Sequence, residues 1–181
     1  SCMTLLRDPI AWSDNRQLFG DSIKVYMGDS TVRRVEVLGQ SFSAEKHDES
    51  DHFNQVSSRY MVANFVDGNI RRTTNVGNVE SVYYPVDDKD STIIGLDYQK
   101  TDTMDMFISP ERKLQKIVCS KTIGTLYPMT QIPPGKTRLA GFQWFAEIRP
   151  KDKNDLYRNA QKTDDQKLKE IKRQAAPLQT F

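Results

Sequence analysis

The chain has 181 residues, enough for one domain or for one domain with a tail. Its 26 basic and 24 acidic residues leave a net charge of +2, which is too small to favour nucleic acid or an anionic membrane as the partner. No apolar run reaches the length of a membrane-spanning helix, and apolar residues make up only 37% of the chain, so any core must come from their pattern.

The first segment, residues 3–20, reads as a partial structural unit. Short apolar runs are interrupted by the turn-forming pairs Asp8-Pro9 and Asp14-Asn15. The first residues resemble the middle of a strand, which predicts that the array continued upstream in a longer chain and that a secretion signal preceded it. Two cysteines, Cys2 and Cys119, allow at most one disulfide, and their spacing matches neither a zinc site nor a redox site.

Three later segments repeat the same pattern. Residues 23–39 align with residues 61–77 without a gap, and residues 104–121 align with one inserted residue in the turn. Each segment contains a strand, a tight polar turn, an apolar residue followed by a basic one, and a second strand. Turn residues such as Gly28-Asp29 and Asp67-Gly68 tolerate the positive φ of hairpin turns. The sequence therefore predicts repeated β-hairpins, spaced as in array proteins.

Apolar residues alternate with polar ones in each predicted strand, which places them on one face of a sheet. Because helix-forming segments are scarce, this face must be covered by another sheet layer or by a ligand. The pattern predicts an all-β fold, an open jelly-roll formed by a folded two-layer sheet. The apolar residues that the pattern places inside this fold are Ile23, Val25, Met27, Phe42, Met61, Ala63, Phe65, Met104, Met106 and Ile108.

The pattern loosens after Pro128. Residues 132–135 predict a turn, and residues 139–148 predict a closing strand. From Lys151 to the end the composition is charged and favours a solvated helix or a disordered tail. We therefore predict a repeat domain over residues 1–150, followed by a charged tail over residues 151–181.

Two functions are compatible with an apolar inner face. The methionines among its residues are flexible and polarisable, which suits a surface that accommodates variable apolar chains. On the pattern alone a closed core is the favoured role of the same residues, and the alternation does not distinguish a core from a groove.

Several segments resemble the OstA-like family of organic solvent tolerance and lipopolysaccharide-transport proteins, in the longer variant of Bacteroides-type bacteria. They are residues 8–23, residues 77–85, residues 141–144 and Arg149-Pro150, so the resemblance covers roughly residues 3–150. It implies a periplasmic protein whose open jelly-roll holds the acyl chains of lipid A and stacks edge to edge on partner domains or on itself. On this resemblance the apolar groove is lined by the inner residues named above and by Val35, Val37 and Ile117. The third repeat departs from the pattern, with Lys121 where the others have Gly39 and Gly77.

This resemblance implies a binding and transport component of outer-membrane assembly. No catalytic residue, metal or cofactor is expected, and nucleic acid is not an expected partner. The alternative is a structural β-scaffold that stacks edge to edge without a lipid, since open sheet edges present unpaired backbone groups.

A remote alternative is an esterase. Residues 19–23 imitate the nucleophile block of GDSL-type hydrolases, in which a histidine must activate the serine. The two histidines, His47 and His52, lie in a polar loop soon after the block, whereas that family places its histidine near the C-terminus. The same loop could bind a metal or be a solvated turn. Basic residues after each turn could contact lipid phosphate or protect strand ends.

Overall fold

In the computed structural model, which describes residues 1–47, 50–152 and 155, a single antiparallel sheet dominates the chain. Among the described residues the helical elements are two short 3-10 turns, Met129–Gln131 and Ala146–Ile148. The strands are β1 (Cys2–Leu6), β2 (Ile10–Ser13), β3 (Arg16–Phe19), β4 (Ser22–Met27), β5 (Val32–Lys46), β6 (Phe53–Val66), β7 (Asn69–Tyr83), β8 (Gly95–Ile108), β9 (Leu114–Ser120) and β10 (Ile123–Pro128). The predicted all-β class is confirmed.

The four long strands β5 to β8 are interrupted at one level. The pairing register shifts between Leu38 and Ser41 in β5, and again at the facing positions of β6 and β7. Left-handed residue pairs mark the break in two strands: Gly39-Gln40, with φ of 71° and 46°, and Gly77-Asn78, with φ of 84° and 48°. Such bulges bend a strand, so their alignment creates a corner across the sheet.

The six short strands pair on either side of this corner. β4 and β3 both pair with β5, one on each side of its break, and β9 and β10 do the same with β8. We call the two sides half-sheet A and half-sheet B. Half-sheet A contains β1, β4, β9 and residues 32–38, 60–66, 69–76 and 103–108; half-sheet B contains β2, β3, β10 and residues 41–46, 53–58, 79–83 and 95–101.

The predicted repeat corresponds to three hairpins. β4 pairs with β5, β6 with β7, and β8 with β9, each antiparallel and each joined by the predicted turn. Ile23 faces Val37, Met61 faces Asn75, and Met104 faces Cys119 in one continuous row of half-sheet A. The hairpin units therefore stack side by side into a single open sheet.

The core lies between the two half-sheets. Leu18 of half-sheet B packs in one cluster with Ile23, Val37 and Met61 of half-sheet A. A second cluster joins Val56 and Val79 to Met104, with Met106, Ile117 and Cys119 packed against it. Since each cluster draws residues from both sides of the corner, the sheet is folded onto its own apolar face.

Residues 137–139, which follow β10, pack on the outer face of half-sheet B. Gln55 points outward there, where its Nε2 donates to the Thr137 carbonyl at 2.9 Å and its Oε1 accepts from the Leu139 amide at 2.8 Å. Arg138 lies over the Phe53 ring, 4.8 Å from its centroid. Phe53, which is 4% exposed, is thereby shielded from water.

The predicted closing strand over residues 139–148 is wrong. The first compact unit ends at Leu139, and the second, residues 140–181, contains the 3-10 turn Ala146–Ile148 and no strand in its described part. Gly141 has a φ of 86°, which breaks the extended backbone that the alternating aromatic residues suggested. Most of the predicted tail, residues 153–154 and 156–181, lies outside the described residues.

Candidate functional site

A cleft opens between the half-sheets, with about 490 Å³ of space including the solvent at its mouth. Half-sheet A contributes Met61, Thr73, Asn75, Met106 and Ile108 to its wall. The surface exposed inside the cleft is mostly apolar. Its enclosed part has room for only a few water molecules, so a bulkier ligand enters only if the two half-sheets separate.

The predicted groove residues lie in three different environments. Met61, Met106 and Ile108 line the cleft directly. Another group is fully or almost fully buried in the packed layer behind it: Ile23, Val35, Val37, Ala63 and Met104. A third group is partly buried and packs against the two core clusters or continues their rows: Val25, Met27, Phe65 and Ile117.

Phe42 does not line the cleft. Its ring stacks on Phe19 with centroids 5.2 Å apart, and the neighbouring residue Ser43 is the one that faces the cleft. Adjacent residues of a strand face opposite sides, so Phe42 faces away from the cleft that Ser43 lines. The prediction that Phe42 lines the groove, which followed its apolar character, is therefore wrong.

The wall from half-sheet B is polar and was missed by the sequence analysis. Its outer row runs across three paired strands through Arg16, Glu45 and Asn54, and Tyr83 lies beside it. A deeper row places Ser43 and Ser81 on either side of Val56. The signal was present as the alternating positions in the half-sheet B part of each long strand, but these positions become a cleft wall only when the corner turns them towards half-sheet A.

The charges on this wall cancel locally. Arg16 Nη2 lies 3.1 Å from Glu45 Oε2, and their side chains are 21% and 31% exposed. Burial raises the pKa of the neighbouring Tyr83 hydroxyl, and the negative charge of Glu45 raises that pKa further. Tyr83 therefore stays protonated, as an uncharged hydrogen-bonding group at the cleft.

An ion pair joins the two half-sheets near the cleft residues Arg16 and Ile108 in the chain, and we take this contact to mark the mouth of the cleft. Arg112, in the turn between β8 and β9, places its Nη1 2.6 Å from Asp14 Oδ2, in the turn between β2 and β3. The two residues belong to opposite half-sheets and are 98 positions apart in sequence. Both side chains are 65% exposed, so this contact can open at little cost.

The residues of the esterase-like block form the corner. Gly20 and Asp21 separate β3 from β4, and the Asp21 amide donates to the Leu38 and Gly39 carbonyls at 3.0 Å each. A Cβ at Gly20 would lie 2.5 Å from Val37 Cγ1, so a side chain does not fit there without a shift. Close packing thus explains the glycine in this block.

The other candidate sites lie away from the cleft. Among the described residues, no group of three or more histidine, cysteine or acidic residues is placed to hold a metal ion. Two of the repeated arginines are held in ion pairs, Arg34 with Glu36 at 2.7 Å and Arg72 with Asp105 at 3.0 Å. Glu36 and Asp105 alternate along their strands with residues that point towards half-sheet B. Both ion pairs therefore lie on the outer face of half-sheet A.

Comparisons of the chain with protein-family models, curated proteins and solved structures found no match. The resemblance to the OstA-like family therefore stays a prediction. In the part of the chain that the structure describes, no helix is both long and apolar enough to cross a membrane.

Proposed function

We propose that the folded sheet binds the acyl chains of a lipid between half-sheets A and B, as a periplasmic component of lipopolysaccharide transport. The observation that supports this proposal is the mostly apolar cleft that opens to solvent between the two layers. The resemblance described above supplies lipopolysaccharide and the periplasm as the lipid and the compartment.

The energetics of the cleft favour a flexible apolar chain. Each methylene group moved from water into an apolar site contributes about 0.8 kcal/mol. Met61 and Met106 can change rotamer to follow such a chain, since methionine is unbranched and polarisable. Because the sheet is open along both edges, the half-sheets can separate without breaking the ladders of the long strands.

The interior of the cleft is narrow, so the proposal requires that the cleft opens to admit a ligand. A sealed layer would keep all of its apolar residues inaccessible, whereas Met106 and Ile108 are partly exposed and line the cleft. Ligand entry then corresponds to opening at the mouth, where the Asp14–Arg112 contact is the bridge between the half-sheets.

Photo-crosslinking tests the proposal. Benzoylphenylalanine at position 106 points into the cleft, and the same probe at position 107 points to the outer face, where Phe107 lies 5.2 Å beneath the Arg72 guanidinium. We expect lipopolysaccharide to be crosslinked from position 106 and not from position 107. Equal labelling at both positions, or labelling at neither, would reject acyl-chain binding in the cleft.

A second proposed feature is edge-to-edge stacking on other jelly-roll proteins or on further copies. Several exposed apolar side chains lie on the edge strands β1 and β10: Met3 is 52% exposed, Leu6 68%, Ile123 75% and Leu126 56%. A partner strand could add to such an edge through backbone hydrogen bonds and cover these side chains. This observation also favours the scaffold alternative, in which stacking is the whole function.

Stacking and lipid binding are separable by experiment. Ile123→Lys introduces a charge on the β10 edge, and Val66→Lys is a matched control at a hairpin tip, where Val66 is 54% exposed. Sedimentation should show self-association that weakens in Ile123→Lys and persists in Val66→Lys. If stacking is the whole function, the protein will self-associate and show no crosslink from position 106.

A further inference from the structure

The polar wall of the cleft carries hydrogen-bonding groups without protein partners. The hydroxyls of Ser43 and Ser81 make no hydrogen bond to any described residue, although both line the cleft and Ser81 is only 5% exposed. The Asn54 Oδ1 accepts from the Tyr84 amide at 2.9 Å, while its NH₂ group has no partner among the described residues. None of these groups is among the fully buried polar atoms that lack a partner, so water reaches them in the open cleft, and a ligand that displaces this water must offer them polar atoms in its place.

These polar groups all lie on the half-sheet B wall of the cleft, at two different depths. Ser43 and Ser81 flank Val56 in the deeper row, and Asn54 lies one row further from the corner. The opposite wall presents Met61, Met106 and Ile108, together with Thr73 and Asn75. A ligand that fits both walls therefore places an apolar chain against Met106 and Ile108 and uncharged donors and acceptors against Ser43, Ser81 and Asn54.

The charge of the wall narrows the chemistry of the ligand. Among the described residues, Arg16 and Glu45 are the charged side chains that line the cleft, and they neutralise each other at 3.1 Å. An anionic headgroup would gain no net positive charge here, because the Arg16 guanidinium is already paired with Glu45. A neutral head with hydroxyl groups costs less to remove from water than a carboxylate does.

We infer that the cleft selects uncharged acyl groups that carry hydroxyls near the head of the chain, as in a monoacylglycerol, over acyl chains that end in a carboxylate. This inference rests on the proposed function, because it assumes that an acyl chain occupies the cleft. In addition to the proposed function, it assigns binding of the head of the chain to Ser43, Ser81 and Asn54.

Three probes of equal chain length test the selection: monododecanoylglycerol, methyl dodecanoate and dodecanoate. Each is titrated against the full chain below its micelle concentration, with displacement of bound Nile red as the readout. One net hydrogen bond corresponds to about fivefold in affinity, so we expect monododecanoylglycerol to bind at least about fivefold more tightly than methyl dodecanoate. Dodecanoate should bind more weakly than monododecanoylglycerol by a larger factor.

Serine substitutions locate the selection. The double variant Ser43→Ala/Ser81→Ala should reduce the preference for monododecanoylglycerol over methyl dodecanoate to about twofold or less. Ser57→Ala is the matched control, because Ser57 adjoins Val56 and faces the opposite side of β6. The preference is a ratio measured within one protein, so a general loss of stability in a variant does not change it.

The outcomes separate this inference from the proposed function. If none of the probes displaces Nile red, acyl-chain binding itself is rejected. If all three bind with equal affinity, acyl-chain binding stands and the selection is rejected. A preference that survives the double variant, or one that Ser57→Ala removes, would also reject the assignment to this wall.

Discussion

Gly39 and Gly77 occupy equivalent positions in two neighbouring repeats. Their φ angles are 71° and 84°, each is followed by a second left-handed residue, and both lie at the break where a long strand passes from one half-sheet to the other. A side chain at either position would force a neighbouring side chain to move. A Cβ at Gly39 would collide with the Asp21 carboxylate, and one at Gly77 would lie 2.9 Å from Arg59 Cδ.

Gly39→Ala should therefore destabilise the fold strongly. The left-handed backbone alone costs a non-glycine residue about 1–2 kcal/mol, and the collision with Asp21 adds to that cost. We expect the free energy of unfolding to fall by about 3 kcal/mol in urea denaturation. Gly68→Ala is the control, since Gly68 has a similar φ of 76° but no atom within 4 Å of its Cβ position. Equal losses in the two variants would contradict the role of close packing at the corner.

Lys121 lies at the position equivalent to these glycines and has a φ of 47°. Lys121→Gly should relieve the free-energy cost of the left-handed backbone in the folded protein. This gain should exceed the free-energy cost of the extra entropy that glycine gives the unfolded chain, so the protein should be stabilised by roughly 0.5 kcal/mol. The adjacent Thr122→Gly should have the opposite sign, because only entropy changes there. Thermal unfolding should show a shift of roughly +1 to +2 °C for the first variant and a decrease for the second. A decrease in both would mean that Lys121 is not strained.

Tyr98 should make stability depend on alkaline pH. Burial raises the pKa of its hydroxyl to about 12, and the adjacent Glu80, which accepts its hydrogen bond at 3.0 Å, contributes to the rise. The unfolded chain loses this proton near pH 10, so the contribution is complete below pH 10 and is lost between pH 10 and pH 12. After allowance for solvent screening, the loss is roughly 1 kcal/mol.

Tyr98→Phe should remove that part of the pH dependence. Between pH 9 and pH 11.5, the free energy of unfolding should fall less in the variant than in the parent protein. Because the lysines titrate in both proteins, their contribution cancels when the two changes are subtracted. Glu80→Gln removes the charge and should move the pKa of Tyr98 towards 10, which absorbance at 295 nm would follow. Identical pH dependence in the parent and Tyr98→Phe would show that the hydroxyl is not protected.

The Asp14–Arg112 contact should affect ligand entry more than stability. Exposed ion pairs contribute about 1 kcal/mol or less, so Asp14→Ala/Arg112→Ala should change the free energy of unfolding by no more than about that amount. We expect faster association of Nile red in stopped-flow measurements, because the bridge between the half-sheets is lost. An unchanged association rate would mean that ligands do not enter past this contact.

A crosslink at the same place should have the opposite effect. A short bismaleimide can join cysteines placed at positions 14 and 112, in a protein whose free Cys2 and Cys119 are replaced by serine. Joining the hairpin tips should slow Nile red association relative to the same variant without the crosslinker. Faster entry in the crosslinked protein would contradict the assignment of the mouth.

Local patterns in the sequence predict much of this fold. Alternation identified the inner face of half-sheet A, and residues such as Asp67-Gly68 identified the hairpin turns, because both signals depend on neighbours along the chain. The equivalence of Gly39 and Gly77 also appeared in the gap-free alignment of the first two repeats. The sequence by itself therefore determined the hairpins, their repetition and one apolar wall.

Other features depend on contacts between distant residues, and only the tertiary structure decided them. The bulges at one level turn half-sheet B towards half-sheet A, and this rotation makes a cleft wall of Ser43, Asn54 and Ser81. The burial of Gln55 against Thr137 and Leu139 joins residues more than 80 positions apart. Alternation records which residues share a side of a strand, but it does not record what lies opposite that side, because the facing surface comes from another part of the chain.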